Sequence, residues 1–133
     1  MSLRHQRDFM RPLGYDEPVT MGLRSVTVSD AESWARILSV DGELDIGSAA
    51  QFAKLIEDGL RDGRPLVIDL TACTYLDSTI LNVLIRSANL APQRIGIVVP
   101  TVARIRRIFN IAGLEEALHL AESRSALQGR FPA

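Results

Sequence analysis

Apolar residues recur with two different periods along this chain, and each change of period marks an element. Leu23-Arg24-Ser25-Val26-Thr27-Val28 alternates loosely, as a half-buried strand does. Ser29 to Ser33 has the composition of a turn, and Trp34 to Val40 reads as a second strand, so the pair predicts an antiparallel hairpin. Asp41-Gly42 opens a loop that runs to Gly47, and Ser48 is placed to cap a helix. Ala49, Phe52, Ala53, Ile56 and Leu60 then fall three and four apart, which makes one apolar helical face. Asp62-Gly63-Arg64-Pro65 stops it.

Leu66-Val67-Ile68-Asp69-Leu70 is apolar without alternation, the mark of a central strand buried on both faces. Thr71 to Leu76 carries the chain to Asp77-Ser78-Thr79, a helix start, with Leu81, Leu84, Ile85 and Ala88 as the stripe that follows. Ile95 to Val99 predicts another buried strand, closed by Pro100. Val102, Ile105, Phe109 and Ala112 mark a further helix, stopped at Gly113. Leu114 to Leu118 reads as a short turn, Leu118-His119-Leu120 as an edge strand and Ser123 to Gln128 as a last helix. Strands that alternate with helices after a leading β-hairpin predict an α/β fold: a small mixed, mainly parallel sheet with helices packed on it. Residues 1–22 show no apolar period and are punctuated by Pro12, Gly14, Pro18 and Gly22. They are expected to be a mobile tail, with one domain over 23–133.

Composition narrows the function classes. With 133 residues and 47% hydrophobic content the chain has enough apolar material for one core. A formal net charge of -1 gives no electrostatic footprint for nucleic acid or an anionic membrane. Cys73 is the sole cysteine, which rules out an internal disulfide. No apolar run approaches the ~20 residues of a membrane span, and no secretory pattern opens the chain, so a cytoplasmic location is expected. Dinucleotide and triphosphate glycine loops are absent. His5 and His119 lack ligand spacing, so no metal and no cofactor is expected. Cys73 reads as a small buried hydrophobe.

Three segments next to strand ends carry chemical interest, since open α/β sheets place their sites there. Asp41-Gly42-Glu43-Leu44-Asp45 is either a solvated acidic turn or a carboxylate edge of a site. Asp77-Ser78-Thr79 is a good N-cap, yet it also sets hydroxyls at a helix N-terminus, where free N–H groups favour an added phosphate. Arg104, Arg106 and Arg107 form either a solvated helix face or a contact for an acidic partner.

Together these segments resemble the STAS domain, the module shared by sulphate transporters and anti-sigma-factor antagonists. Val40-Asp41-Gly42-Glu43-Leu44-Asp45 is similar to the family's Gly-Glu-Leu-Asp loop, and Leu66–Leu70 to its central strand. Leu76-Asp77-Ser78-Thr79 resembles its phosphoacceptor turn, and Ile108-Phe109-Asn110-Ile111-Ala112-Gly113-Leu114 its Leu-Phe-x-Leu-Thr-Gly-Leu segment. The resemblance spans residues 23 to 122, with the motifs in the family's order.

The resemblance implies a regulatory, non-enzymatic protein that binds an anti-sigma factor doubling as an ATP-dependent serine kinase. It implies that Ser78 is the phosphoacceptor, with Thr79 as the competing hydroxyl, and that Asp77 and Asp45 flank it. Two positions depart from the pattern: Ile80 and Asn82 stand where the family has glycines. Both are expected at the partner surface, with Ile80 as an exposed apolar contact. The alternative function is a STAS component of a stress-signalling complex or of a lipid or anion transporter assembly, without a phospho-switch. An enzyme or phosphate carrier acting through Asp77 or Asp69 is a third class, and no base or metal cluster accompanies either residue. The sequence leaves the oligomeric state open.

Overall fold

The computed structural model describes residues 15–21, 24–111, 114 and 118–131. In chain order they form β1 (Tyr15–Met21), β2 (Arg24–Glu32), β3 (Ala35–Leu44), a 3-10 turn (Ile46–Ser48), α1 (Ala49–Gly59), β4 (Leu66–Leu76), α2 (Ser78–Leu90), β5 (Ile95–Val98), α3 (Ala103–Ile111), β6 (His119–Ala121) and α4 (Arg124–Leu127). The six strands lie side by side in sequence order, β1 to β6. β1, β2 and β3 pair antiparallel, and β3 to β6 pair parallel. This is the mixed, mainly parallel sheet the periodicity predicts.

The order of the parallel strands decides where the core sits. Each crossover steps the same way along the sheet, and right-handed crossovers then put α1, α2 and α3 on one face. That face carries the larger core: Phe52 and Ile56 of α1, Ile80 and Leu84 of α2, and Ile105 and Phe109 of α3 meet the inward residues of the strands. The opposite face is covered by the end of the chain. Leu127 and Phe131 pack there with Trp34, Ile37, Val67 and Val98. Gly96 makes this possible, because a Cβ on it would stand 2.8 Å from Phe131 Cζ and 3.1 Å from Leu127 Cδ1. Arg124 of α4 fastens the cover, donating to Asp69 Oδ2 at 2.7 Å and to Ser39 Oγ at 2.8 Å. Asp69, the polar interruption in β4, therefore faces this second layer and is committed to Arg124 and Thr71 rather than free for chemistry.

Several boundaries differ from the sequence expectation. Tyr15–Met21, assigned to the tail, is a strand antiparallel to β2. Pro18 looked like a breaker, but β1 is an outermost strand, where proline is tolerated. Residues 1–14 and Gly22 of the expected tail, and Leu23 at the start of the expected first strand, lie outside the described residues. The first hairpin turns at Ser33-Trp34, with a bulge between Ser29 and Glu32, so β2 is longer than its alternation suggested. β3 runs on through Asp41-Gly42-Glu43-Leu44 instead of ending at Val40, and β4 runs through Thr71 to Leu76. Register shifts between Ser39 and Asp41 and between Gly42 and Glu43 interrupt the pairing of β3 with β4, and they hide the period in the sequence.

The inward face of α2 agrees with the expected stripe at Leu84 and Ala88 but is turned toward Ile80 and Val83. Ile80, Val83, Leu84 and Ala88 are buried, while Leu81 and Ile85 are only partly so. α3 follows the expected face, with Ile105 and Phe109 buried; Ala112 and its Gly113 stop lie outside the described residues. Of the expected turn, residues 115–117 lie outside the described residues; Leu118 N–H donates to the Leu114 carbonyl at 2.8 Å. β6 and α4 stand where the last strand and helix were placed.

Candidate functional site

The parallel register of β3 and β4 builds the site. Leu44 is paired with Leu76, both buried at the ends of their strands. The next residues, Asp45 and Asp77, therefore leave neighbouring strands side by side, and each starts a helical turn. Asp77 is the N-cap of α2, in extended conformation, and its Oδ1 accepts from the amides of Thr79 at 3.0 Å and Ile80 at 3.2 Å. Its Oδ2 accepts the amide of Ile46 at 3.1 Å. One carboxylate thus caps α2 and ties the 3-10 turn to it.

Asp45 works within its own turn. Its Oδ1 accepts the Gly47 amide at 3.0 Å. The Ser48 hydroxyl donates to the Asp45 carbonyl at 3.1 Å and accepts from the Asp45 amide. This reciprocal capping box fixes the turn ahead of α1. The sequence reading placed the cap duty on Ser48; Asp45 caps the 3-10 turn and Ser48 makes no side-chain cap to α1.

Ser78 occupies the first position of α2 and is exposed, and Thr79 is half-buried. Because Asp77 supplies the cap, the Ser78 hydroxyl is not needed to hold the helix. Asn82 is exposed one turn further on. Ile80 is the correction: it is 0% exposed, not a surface contact. It sits three and four residues before Val83 and Leu84 on the sheet-facing stripe, so the helical period carries it inward.

The exposed apolar residue here is Ile46, 74% accessible, with Tyr75 at 44% on the neighbouring strand end. Ile46 falls inside the Asp41–Gly47 loop that the sequence offers as partner surface, but neither it nor Tyr75 is singled out there. The available signal was an aliphatic residue inside the otherwise polar run Asp45-Ile46-Gly47-Ser48. Ile46, not Ile80, is the exposed aliphatic side chain beside the Asp77 turn, and its backbone amide is held by Asp77.

The other candidates lie away from this turn. The Cys73 thiol is buried, donates to the Tyr75 carbonyl at 3.3 Å, and burial pushes its pKa up. His119 lies in β6 and meets the Phe131 ring edge-on at 4.8 Å; burial and the Arg130 charge lower its pKa. Arg106 is paired with Glu122, while Arg104 and Arg107 are exposed. Among the described residues no three His, Cys, Asp or Glu side chains cluster as metal ligands, and no helix is long and apolar enough to cross a membrane.

The family described as "Mlab, STAS domain" matches residues 28–122. No curated protein matches the chain. The fold is similar to that of an anti-sigma factor antagonist from Mycobacterium paratuberculosis, with a TM-score of 0.70 at 24% identity over 89% of this chain and 97% of the other. It is similar as well to the anti-sigma factor antagonist SpoIIAA in its unphosphorylated form, with a TM-score of 0.56 at 13% identity over 77% and 93% of the two chains. The Bacillus cell fate determinant SpoIIAA in its phosphorylated form gives 0.51 at 15% identity over 77% and 96%. With most of the chain matched, this protein belongs to the STAS domain family.

Proposed function

We propose that this protein is a phosphorylation-controlled protein-binding switch of the anti-sigma-factor-antagonist kind, not an enzyme, acting in the cytoplasm with an anti-sigma factor that carries serine-kinase activity as its partner. One observation carries this reading: Ser78 is exposed at the first position of α2 while Asp77 discharges the capping, so the hydroxyl is spare and reachable. Phosphorylation would add about -1.5 to -2 charges there. The N-terminus of a thirteen-residue helix tolerates that charge, so the fold survives. Asp77 and Asp45 repel it, which leaves the phosphate toward solvent, where it blocks docking by its charge and desolvation cost.

The docking surface in this reading joins Ile46, Tyr75, Asp45 and the first turn of α2 with Asn82. Because Ile80 points inward, the first departure from the family's glycines adds no bulk to that surface. Only Asn82 does. The test is incubation of the protein with the anti-sigma-factor kinases of its source cell and ATP, followed by site mapping by mass spectrometry. Phosphate on Ser78 is expected. Phosphate on Thr79 alone overturns the site, and a bound partner with no phosphate transfer favours a constitutive STAS component of another assembly.

A further inference from the structure

A second feature lies away from the Ser78 turn. A groove of about 440 Å³ runs between α1 and α2 toward their C-terminal ends. Ala53 and Ile56 of α1, Leu60 just after its end, and Val83 and Leu90 of α2 supply its apolar walls. Leu90 is 80% exposed, the most accessible large hydrophobic residue among those described. Along the helix axis it stands about 18 Å from Ser78, so the two places are separate surfaces.

The rim is basic. Arg61, Arg86 and Arg94 line the groove against one acid, Glu57. Arg61 leans on Asp58 at 3.2 Å, and Arg86 has no acidic partner among the described residues. Helix C-termini carry partial negative charge, which opposes an anionic visitor. Arg94 offsets this at the end of α1, where its Nη2 donates to the carbonyls of Leu60 and Arg64, both at 2.8 Å. Its Nε is buried and has no acceptor among the described residues. The walls thus ask for aliphatic side chains, and the rim asks for carboxylates.

We infer that this groove docks an amphipathic helix of a partner protein, with an aliphatic stripe set between acidic residues. Helices seat in such grooves through residues spaced three and four apart. The charge at Arg86 selects against a basic helix, and Leu90 closes over the aliphatic stripe. The inference is independent of phosphorylation at Ser78.

The probe is a short helical peptide with leucines on one face flanked by glutamates, compared with the same peptide bearing lysines for the glutamates. Titration followed by NMR should shift the amides of Ala53, Leu60, Val83 and Leu90 with the acidic peptide. The basic peptide should bind at least about tenfold more weakly. Arg86→Glu and Leu90→Asp should each weaken the acidic peptide about tenfold. Arg107→Glu, the same charge change on α3, should leave its affinity unaltered. Shifts that map to α3, equal binding of both peptides, or no binding overturns the inference. Self-association of the free protein that Leu90→Asp abolishes overturns it too, by naming a second copy as occupant.

Discussion

The carboxylate of Asp77 accepts the amide of Ile46 at 3.1 Å, across the ends of two parallel strands. Its other oxygen holds two amides of α2. The relationship separates two jobs that a sequence cannot tell apart, capping a helix and fixing the neighbouring turn. Asparagine caps about as well as aspartate, but its second polar atom is a donor and cannot accept the Ile46 amide. Asp77→Asn should therefore keep α2 and speed hydrogen exchange at Ile46. Asp77→Ala should lose the cap as well and cost about 1–2 kcal/mol in denaturant unfolding. Unchanged exchange at Ile46 in Asp77→Asn would show that the turn holds itself.

Ile80 and Ile46 make an informative pair, because both are isoleucines beside the same aspartate and only one is buried. Ile80→Ala should cost about 2–5 kcal/mol, as other buried aliphatic truncations do. Ile46→Ser should change stability by less than about 0.5 kcal/mol. In the proposed switch it should weaken partner binding about tenfold or more. Equal denaturant midpoints for the two variants would mean that the buried face of α2 is misassigned.

Gly96 and Phe131 should show strong coupling. A Cβ at Gly96 meets Phe131 and Leu127, so Gly96→Ala should cost about 1–3 kcal/mol. In a Phe131→Ala background the cost should fall, since the nearest obstacle is gone. Additive losses in the double-mutant cycle would place the end of the chain elsewhere.

Acid should weaken two ionic clamps. Burial raises the pKa of Asp62, but the Arg64 amide and guanidinium and the Arg36 guanidinium outweigh it and hold the carboxyl at about 2. Burial likewise works against ionisation of Asp69, and Thr71 and Arg124 overcome it, leaving that pKa lowered. A depressed folded-state pKa gives stability that is complete above the ordinary carboxylate value of ~4 and is lost as pH falls. For Asp62 the loss spans the window from about 4 down to about 2. Arg124→Met should be less stable than the parent at pH 7, and the gap should narrow at pH 3. A gap that does not narrow would show that Arg124 acts through packing alone.

Much of the fold was legible where one residue pattern served one face. Leu66–Leu70 and Phe52–Ile56 report burial directly, because both faces of β4 and one face of α1 are apolar. What escaped was set by register and by tertiary cover. β1 hid because Pro18 is harmless on an outer strand. The ends of β3 and β4 hid because the shifted pairing breaks the alternation. The face of α2 was misjudged because Ile80, Leu81, Val83, Leu84 and Ile85 are all aliphatic, and only the sheet decides which of them turn inward. At the candidate site, the helix start at Asp77-Ser78 was legible from its N-cap pattern, whereas the capping by Asp45 was not. The exposure of Ile46 followed only once the register of Leu44 with Leu76 set its turn beside α2.

The most direct test of the proposed switch compares two forms of the same chain in a calorimetric titration with the anti-sigma-factor kinase proposed as its partner: unmodified protein, and protein carrying phosphoserine at position 78. Thermal unfolding of both forms should be closely similar, since the helix N-terminus accommodates the charge. The unmodified form should bind, and the phosphorylated form should bind at least about a hundredfold more weakly, with Ser78→Asp in between because one carboxylate carries less charge than a phosphate. Equal affinity of the two forms would contradict the account.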